Sequence, residues 1–327
     1  MATVRIGVLG AARIAPAGVI KPARTNPEAE VRAVAARDRA RADQFASKHG
    51  IPTVHESYAA LLADPEIDAV YNPLPNGLHA EWTIAALDAG KHVLCEKPFT
   101  SNANEAEEVA AVATRTGLVV MEAFHYRYHP LAIRMREIVE SGELGTIKRV
   151  ETALCFPLPK FSDIRYQYDL GGGATMDVGS YTVHLARLLG CEEPEVRAAK
   201  AKLQSPDVDR AMRAELAFPG GHTGRITCSM WSTSFVQTYA RVFGEHGELH
   251  VINPTNPQVW HRMRVKVGDN ARTERFSRRP TYEYQLDAFC AAVLRGEPTL
   301  TPPADAVANM RVIDAIYVSA GMTPRGS

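Results

Sequence analysis

The sequence predicts a two-domain α/β chain: a doubly wound parallel sheet over residues 1–125, then an α/β domain with a large, mainly antiparallel sheet over residues 126–327. Three observations lead there. Short apolar runs alternate with helical stretches as far as about residue 125. Beyond it, strand-like runs follow one another with only turns between them. The chain's 327 residues are roughly twice the length of a common domain.

In the first part, Val4 to Leu9, Val31 to Ala36, Ala69 to Tyr71, His92 to Cys95 and Leu118 to Met121 read as buried strands. The helices between them have legible ends. Asp38 caps one and Gly50 closes it, Asn76 opens a second closed by Gly90, and Asn102 opens a third closed by Gly117. Parallel strands joined by right-handed helical crossovers give a doubly wound sheet. In the second part, helices are expected over Tyr128 to Glu140 and Thr175 to Leu189. Strands follow over Val196–Leu203, Arg213–Phe218, Gly224–Trp231, Gln237–Phe243 and Glu248–Ile252. Helices over Tyr284–Leu294 and Ala304–Ala320 close the chain.

Charge balances at 37 basic against 37 acidic residues, which leaves no electrostatic footprint for nucleic acid or an anionic membrane. A small molecule or a second copy of the chain is the expected partner. The five cysteines form no CxxC pair, which argues against a disulfide framework or structural zinc, and no metal is expected. The N-terminus runs straight into a strand without a leader pattern, and no apolar run is long enough to span a bilayer, so the cytoplasm is the expected location. Apolar residues on more than one face of the later strands predict an uncovered sheet face, and hence a homodimer or higher even oligomer.

The first strand runs into Gly10-Ala11-Ala12-Arg13-Ile14-Ala15. A dinucleotide-binding turn normally reads G-x-G-x-x-G, and only the first glycine is present. Alanine at the third place is a common variant, whereas Ala12 puts a methyl group where the pyrophosphate would approach. The turn's position at the head of an alternating α/β chain favours the cofactor reading. Arg37 ends the second strand and Arg41 lies one helical turn on, a pairing that suits the 2′-phosphate of NADP better than the bare ribose of NAD. Read blandly, Asp38 is a helix cap and Arg41 part of a solvated face.

Glu96-Lys97-Pro98 ends the fifth strand, and ligands of such sheets bind beyond the carboxyl ends of the strands. Later, Gly171-Gly172-Gly173 precede a helix on which Asp177, Tyr181 and His184 share one face, at i, i+4 and i+7. A carboxylate, a phenol and an imidazole on one face suit a substrate pocket, although a capping Asp177 with two satisfied core polars would leave the same pattern. Tyrosine titrates near 10 when unperturbed, so it needs a nearby cation to act as a base at neutral pH, and Lys97 would supply it.

These motifs resemble the glucose–fructose oxidoreductase, inositol dehydrogenase and rhizopine catabolism (Gfo/Idh/MocA) family. The likeness spans essentially the whole chain. It is carried by Gly10, Asn72-Pro73 with His79, Glu96-Lys97-Pro98 and the stretch from Gly171 to Tyr181. Glu122-Ala123-Phe124, Tyr126-Arg127 and Asp163-Ile164-Arg165 are similar to the branch with NADP-dependent D-xylose dehydrogenases, glucose–fructose oxidoreductase and dimeric dihydrodiol dehydrogenase. The resemblance implies a Rossmann domain in front, an open antiparallel sheet behind, a cis peptide before Pro98 and commonly a dimer through that sheet. It implies Lys97 and Tyr181 as the catalytic pair.

The cofactor candidates are then Gly10, Ala11, Ala12, Arg13, Ile14, Arg37, Arg41, Asn72, Pro73, Leu74, Asn76, His79, Glu96 and Lys97. His125, Arg165, Asp177 and His184 are candidates for binding a sugar, polyol or related diol. His125 stands where the branch often has an aromatic residue or methionine. NADP is the expected cofactor, with NAD possible. Two alternatives stay open: a glycosidase using bound NAD in a transient oxidation, and a non-catalytic NADP-sensing regulator.

Overall fold

The computed structural model describes residues 2–233 and 236–326. The chain divides into two compact units, Met1–Tyr128 with Pro280–Val307, and His129–Arg279 with Ala308–Ser327.

The first unit is built on six strands: β1 (Val4–Leu9), β2 (Ala29–Ala35), β3 (Thr53–His55), β4 (Ala69–Asn72), β5 (His92–Cys95) and β6 (Val120–Glu122). They pair in parallel in the order β3-β2-β1-β4-β5-β6. The order reverses between β1 and β4, which opens a crevice at their carboxyl ends. Asp38 caps the helix Arg39–His49 by accepting from the Arg41 amide, and Gly50 ends it at positive φ. Asn102 and Gly117 bound Ala103–Thr116 in the same way.

The helix expected from Asn76 is entered differently. A bond from the Leu78 amide to the Pro75 carbonyl tightens Asn76–Leu78 into a 3₁₀ turn, and the α-helix runs His79–Asp88. β3 and the helix Tyr58–Leu62 are too short to show a period, and the sequence reading does not contain them.

The segment Pro280–Val307 belongs with the first unit, whereas the sequence reading places all of 126–327 in the second domain. The reason is apolar burial. Helix Thr281–Arg295 packs Leu286, Phe289 and Cys290 into the core that holds Val4, Ile6, Val8, Tyr71, Leu94 and Met121. Just beyond it, the Thr301 carbonyl accepts from the Glu122 amide and the Thr301 hydroxyl donates to the Glu122 carbonyl, which covers edge strand β6.

The second unit holds β7 (Ile147–Cys155), β8 (Glu195–Ser205), β9 (Val208–Ala217), β10 (Thr223–Ser229), β11 (Gln237–Gly244), β12 (Gly247–Ile252), β13 (Arg262–Val267) and β14 (Asn270–Glu274). Their order is β14-β13-β12-β11-β7-β10-β9-β8, antiparallel except where β7 and β10 run parallel at the centre. β7 is absent from the sequence reading because Lys148, Arg149 and Glu151 make it look like a polar turn.

Helix Ser180–Gly190 covers the inner face, where Val150, Ile226, Cys228, Leu216 and Val242 are buried. The other face mixes apolar with charged side chains: Tyr239, Phe243 and Ile252 lie on it among the charged ones. Strict alternation puts Arg149, Glu151, Arg213, Glu215 and Arg225 there, tied by ion pairs such as Arg149–Glu151 at 2.6 Å and Arg225–Glu215 at 2.7 Å.

Candidate active site

In the first unit, Gly10 ends β1 with φ +92°, a conformation that strains residues with a Cβ, and its amide donates to the Ala35 carbonyl at 2.7 Å. Ala11 and Ala12 carry the turn onward with only methyl groups. Arg41 leans back over this turn, its guanidinium donating to the Ala11 carbonyl at 2.8 Å, so it is not simply part of a solvated helix face. Arg37 is exposed at the end of β2. Burial raises the pKa of the Tyr58 phenol, and the charges of Arg37 and Arg41 offset part of that rise. Two arginines beside one slim turn at the switch point fit a dinucleotide bearing an extra phosphate.

Asn72 and His79 brace this end of the sheet from within. Asn72 is fully buried, and its amide donates to the His79 carbonyl and to the Thr83 hydroxyl. The His79 ring is also fully buried, with Nδ1 at 2.8 Å from the Pro98 carbonyl and Nε2 at 2.7 Å from the Leu74 carbonyl. Burial depresses its pKa to about 4. Both residues therefore hold the Leu74 and Pro98 loops in place, and neither turns a ring or amide outward to a ligand. The Lys97–Pro98 bond is cis, as the resemblance implies. Glu96, beside it, accepts from the Tyr71 hydroxyl at 2.5 Å.

His125 is buried with Nδ1 at 2.8 Å from the Thr281 hydroxyl, and its ring lies 4.1 Å from that of Tyr282, tilted by 33°. Burial and then the charge of Lys97 depress its pKa to about 3, so the ring is neutral at any working pH. Burial and the nearby Glu96 charge push the Tyr282 phenol upward. Thr281 and Tyr282 carry no signal in the sequence that ties them to His125. Thr281 stands 156 residues from His125, and no period or spacing links them.

In the second unit, Gly171 and Gly173 take positive φ and lead into the turn Thr175–Gly179. That turn is wound as a π-helix, and the regular α-helix, expected from Thr175, begins at Ser180. The widened turn and the helix together carry Asp177, Tyr181 and His184, of which Tyr181 and His184 are buried. The Arg165 guanidinium donates to the Asp177 carboxylate at 3.0 Å and reaches Asp163 at 3.2 Å. Asp177 comes first among the causes that raise the Arg165 pKa. Gly179 lets this junction approach β10, since a Cβ there would lie 3.1 Å from the Cys228 sulfur. Among the described residues, no cluster of His, Cys, Asp or Glu is arranged to hold a metal.

A slim turn with one glycine at the switch point of a doubly wound sheet, with a lysine just past the end of β5 and a separate polar helix face, defines a nicotinamide-dependent oxidoreductase. The chain belongs to the Gfo/Idh/MocA family. Residues 4–124 match the model described as "Oxidoreductase family, NAD-binding Rossmann fold", and residues 132–250 match the "GFO/IDH/MocA C-terminal domain".

The chain is 42% identical to D-xylose 1-dehydrogenase (NADP(+)) 2 of Haloferax volcanii over 96% of each chain. It is similar to the crystal structure of KijD10, a 3-ketoreductase from Actinomadura kijaniata in complex with NADP and TDP-benzene. There the TM-score is 0.90 at 32% identity, over 97% of this chain and 98% of that one. The aldose-aldose oxidoreductase of Caulobacter crescentus, complexed with glycerol, aligns with a TM-score of 0.89 at 26% identity over 98% of both chains.

Proposed function

We propose that the protein is an NADP-dependent dehydrogenase that oxidises a hydroxyl of an aldose, polyol or related diol, or reduces the corresponding carbonyl. The observation that carries this reading is the ionised pair Asp177–Arg165, joined at 3.0 Å one helical turn before Tyr181. It offers a hydroxylated substrate charged hydrogen-bonding partners next to a phenol. Similarity to an NADP-dependent xylose dehydrogenase over nearly the full length supports the same reading.

When bound, the cofactor supplies the nicotinamide that accepts or gives the hydride. Everything else falls to this chain. Arg37 and Arg41 hold the 2′-phosphate, and the Gly10 to Ile14 turn takes the pyrophosphate. Tyr181 removes the proton from the reacting hydroxyl, or returns one to a carbonyl. Lys97 supplies the cation that makes a phenolate accessible near neutral pH. Asp177, Arg165 and His184 orient the remaining hydroxyls. His125, neutral and packed on Tyr282, lines the substrate's surroundings without exchanging protons.

An absorbance screen for nicotinamide reduction tests this, with aldoses, polyols and dihydrodiols each offered with NADP⁺ and NAD⁺. Turnover of at least one hydroxylated substrate with NADP⁺ is expected. Tight nucleotide retention with bond hydrolysis and no net reduction would replace the proposal with the glycosidase alternative.

A further inference from the structure

Among the described residues, the largest fully buried side chain is a charged one, Arg325, from the segment beyond the last helix. Its guanidinium carries 1% exposure and faces the fully buried Asp209 of β9 at 3.4 Å. Asp209, Gly172, Tyr317 and Tyr168, which it meets, belong to the second unit. Nε donates to the Gly172 carbonyl at 2.8 Å, and the guanidinium stacks over the Tyr317 and Tyr168 rings at 4.3 and 5.0 Å. Asp209 uses its other oxygen on Thr175, accepting from the backbone amide at 2.8 Å and the hydroxyl at 2.7 Å. The Tyr317 hydroxyl donates to the first oxygen at 3.0 Å.

These bonds converge on one place. Gly171 to Gly173 form the most permissive stretch of backbone in the unit, and something must select a single conformation for it. A Cβ on Gly173 would lie 2.3 Å from the Asp209 carboxylate, 2.8 Å from the Tyr317 hydroxyl and 3.0 Å from Arg325. The Gly172 carbonyl, the Thr175 amide and the Thr175 hydroxyl are thus all held by the Asp209–Arg325 pair. Thr175 opens the π turn that sets the rotational phase of Tyr181. A π turn is rare and persists only where its surroundings over-determine it. Gain in stability is a poor reason for a buried ion pair, because the desolvation of both charges offsets most of their attraction.

We propose that Asp209 and Arg325 are positioning residues for Tyr181: they fix the glycine turn and the start of the helix so that the phenol is held in one orientation. This rests on Tyr181 being the proton-transfer group. Neither residue takes part in the chemistry itself.

The test uses the full chain carrying Arg325→Ala, Asp209→Asn or the milder Tyr317→Phe, each alone and, for Arg325→Ala, also with Tyr181→Phe. Folding is followed by circular dichroism, NADP⁺ binding by calorimetry, and local order by hydrogen–deuterium exchange over residues 173–185. In Arg325→Ala, kcat should fall roughly 10- to 100-fold, the scale of a misplaced catalytic group. NADP⁺ affinity should stay within about twofold, exchange over 173–185 should quicken, and added methylguanidinium should restore part of kcat. With Tyr181→Phe already present, the same change should cost less than about twofold.

A folded Arg325→Ala protein with wild-type kcat and unchanged exchange overturns the proposal. So does a loss that persists in full beside Tyr181→Phe. Should Arg325→Ala fail to fold, Tyr317→Phe carries the same readouts with a smaller loss, and wild-type values there overturn it as well. Wild-type kcat in Tyr181→Phe alone refutes the proton-transfer reading separately, and exchange then decides whether the pair holds the turn.

Discussion

Arg165 and Asp177 meet at 3.0 Å from opposite sides of the glycine run that leads to the Tyr181 helix. Asp163 pulls on the same guanidinium from 3.2 Å, so the arginine is shared between two carboxylates. The Arg165 side chain is 44% exposed, so the pair contributes little to folding and is better placed to receive a ligand. Asp177→Asn keeps the shape and removes the charge. It should raise KM for the best substrate about tenfold, the usual worth of a charged hydrogen bond, and leave NADP⁺ binding unchanged. An unaltered KM in steady-state assays would exclude Asp177 from substrate binding.

On the proposed reading, cofactor choice should rest on Arg37 and Arg41. Arg41 is tied by its guanidinium to the Ala11 carbonyl at 2.8 Å, which fixes it over the first turn, while Arg37 is exposed at the strand end. Removing either as Arg37→Ala or Arg41→Ala should weaken NADP⁺ by roughly 10- to 100-fold and leave NAD⁺ nearly unchanged. Calorimetry at two salt concentrations checks it, since a phosphate contact weakens with salt. Equal losses for both nucleotides would mean that the arginines only hold the turn.

How far the sequence carries can be seen in particular residues. The Asp38 cap, the Asn102 cap and the glycine stops are local, with cause and effect within four residues, and they appear as read. The doubly wound layout follows from periodicity in the same way, and so does the helix that carries Tyr181 and His184, whereas Asp177 lies in the π turn before it. What stayed hidden depends on distant partners. Helix Thr281–Arg295 shows its apolar stripe plainly, yet nothing in the stripe says which core receives it. The π turn at Thr175 exists because Asp209 and Arg325 hold it from β9 and the C-terminal segment. Strand β7 carries its charges on the face away from the helix, and that face was invisible until its neighbours were known. His79 was legible as a residue near the cofactor turn, and its bracing role required the Pro98 and Leu74 carbonyls to be seen.

His125 predicts an acid-sensitive fold. The imidazole takes up a proton near pH 6.5 in the unfolded chain and only near 3 in the folded one, because burial and the Lys97 charge disfavour the cation. Between those values the unfolded chain holds a proton that the folded protein lacks. The histidine's contribution is therefore complete above pH 6.5 and is lost as pH falls toward 3, at about 1.4 kcal/mol per pH unit. His125→Gln should remove that slope. Urea titrations of both proteins at pH 7.5 and pH 5.5 should show the wild-type advantage shrinking by about 1.4 kcal/mol at the lower pH. A constant difference would mean that His125 titrates alike in both states.

Self-association through the second-unit sheet should depend on salt. The face away from the helix carries Arg149, Glu151, Glu215 and Arg225 in ion-paired rows, so a homodimer formed there would join charged ladders to charged ladders. Light scattering at micromolar protein should give a dimer or higher even oligomer at low salt and a lower mass at about 1 M salt, where screening is nearly complete. A monomer at both salt concentrations would remove the expectation, and a salt-indifferent dimer would place the contact elsewhere.

Lys97 and Tyr181 should act together in proton transfer. A phenol titrates near 10 without help, so at neutral pH it works as a base only beside a cation, and Lys97, just beyond the end of β5 at the cis bond to Pro98, would be that cation. If so, Tyr181→Phe should lower kcat by about a hundredfold or more with little change in NADP⁺ affinity. Lys97→Met should do similar damage through the loss of the charge. The double variant should then be scarcely worse than either single one, because the second change removes a group whose task has already gone. Steady-state kinetics on the four proteins, with the best substrate from the screen, measure this directly. Strictly multiplicative losses would mean that the two residues act independently and would leave Lys97 the role of holding the nicotinamide ribose. Wild-type kcat in Tyr181→Phe would move the proton transfer to another group, and His184, the buried imidazole one turn further along that helix, would be the next to replace.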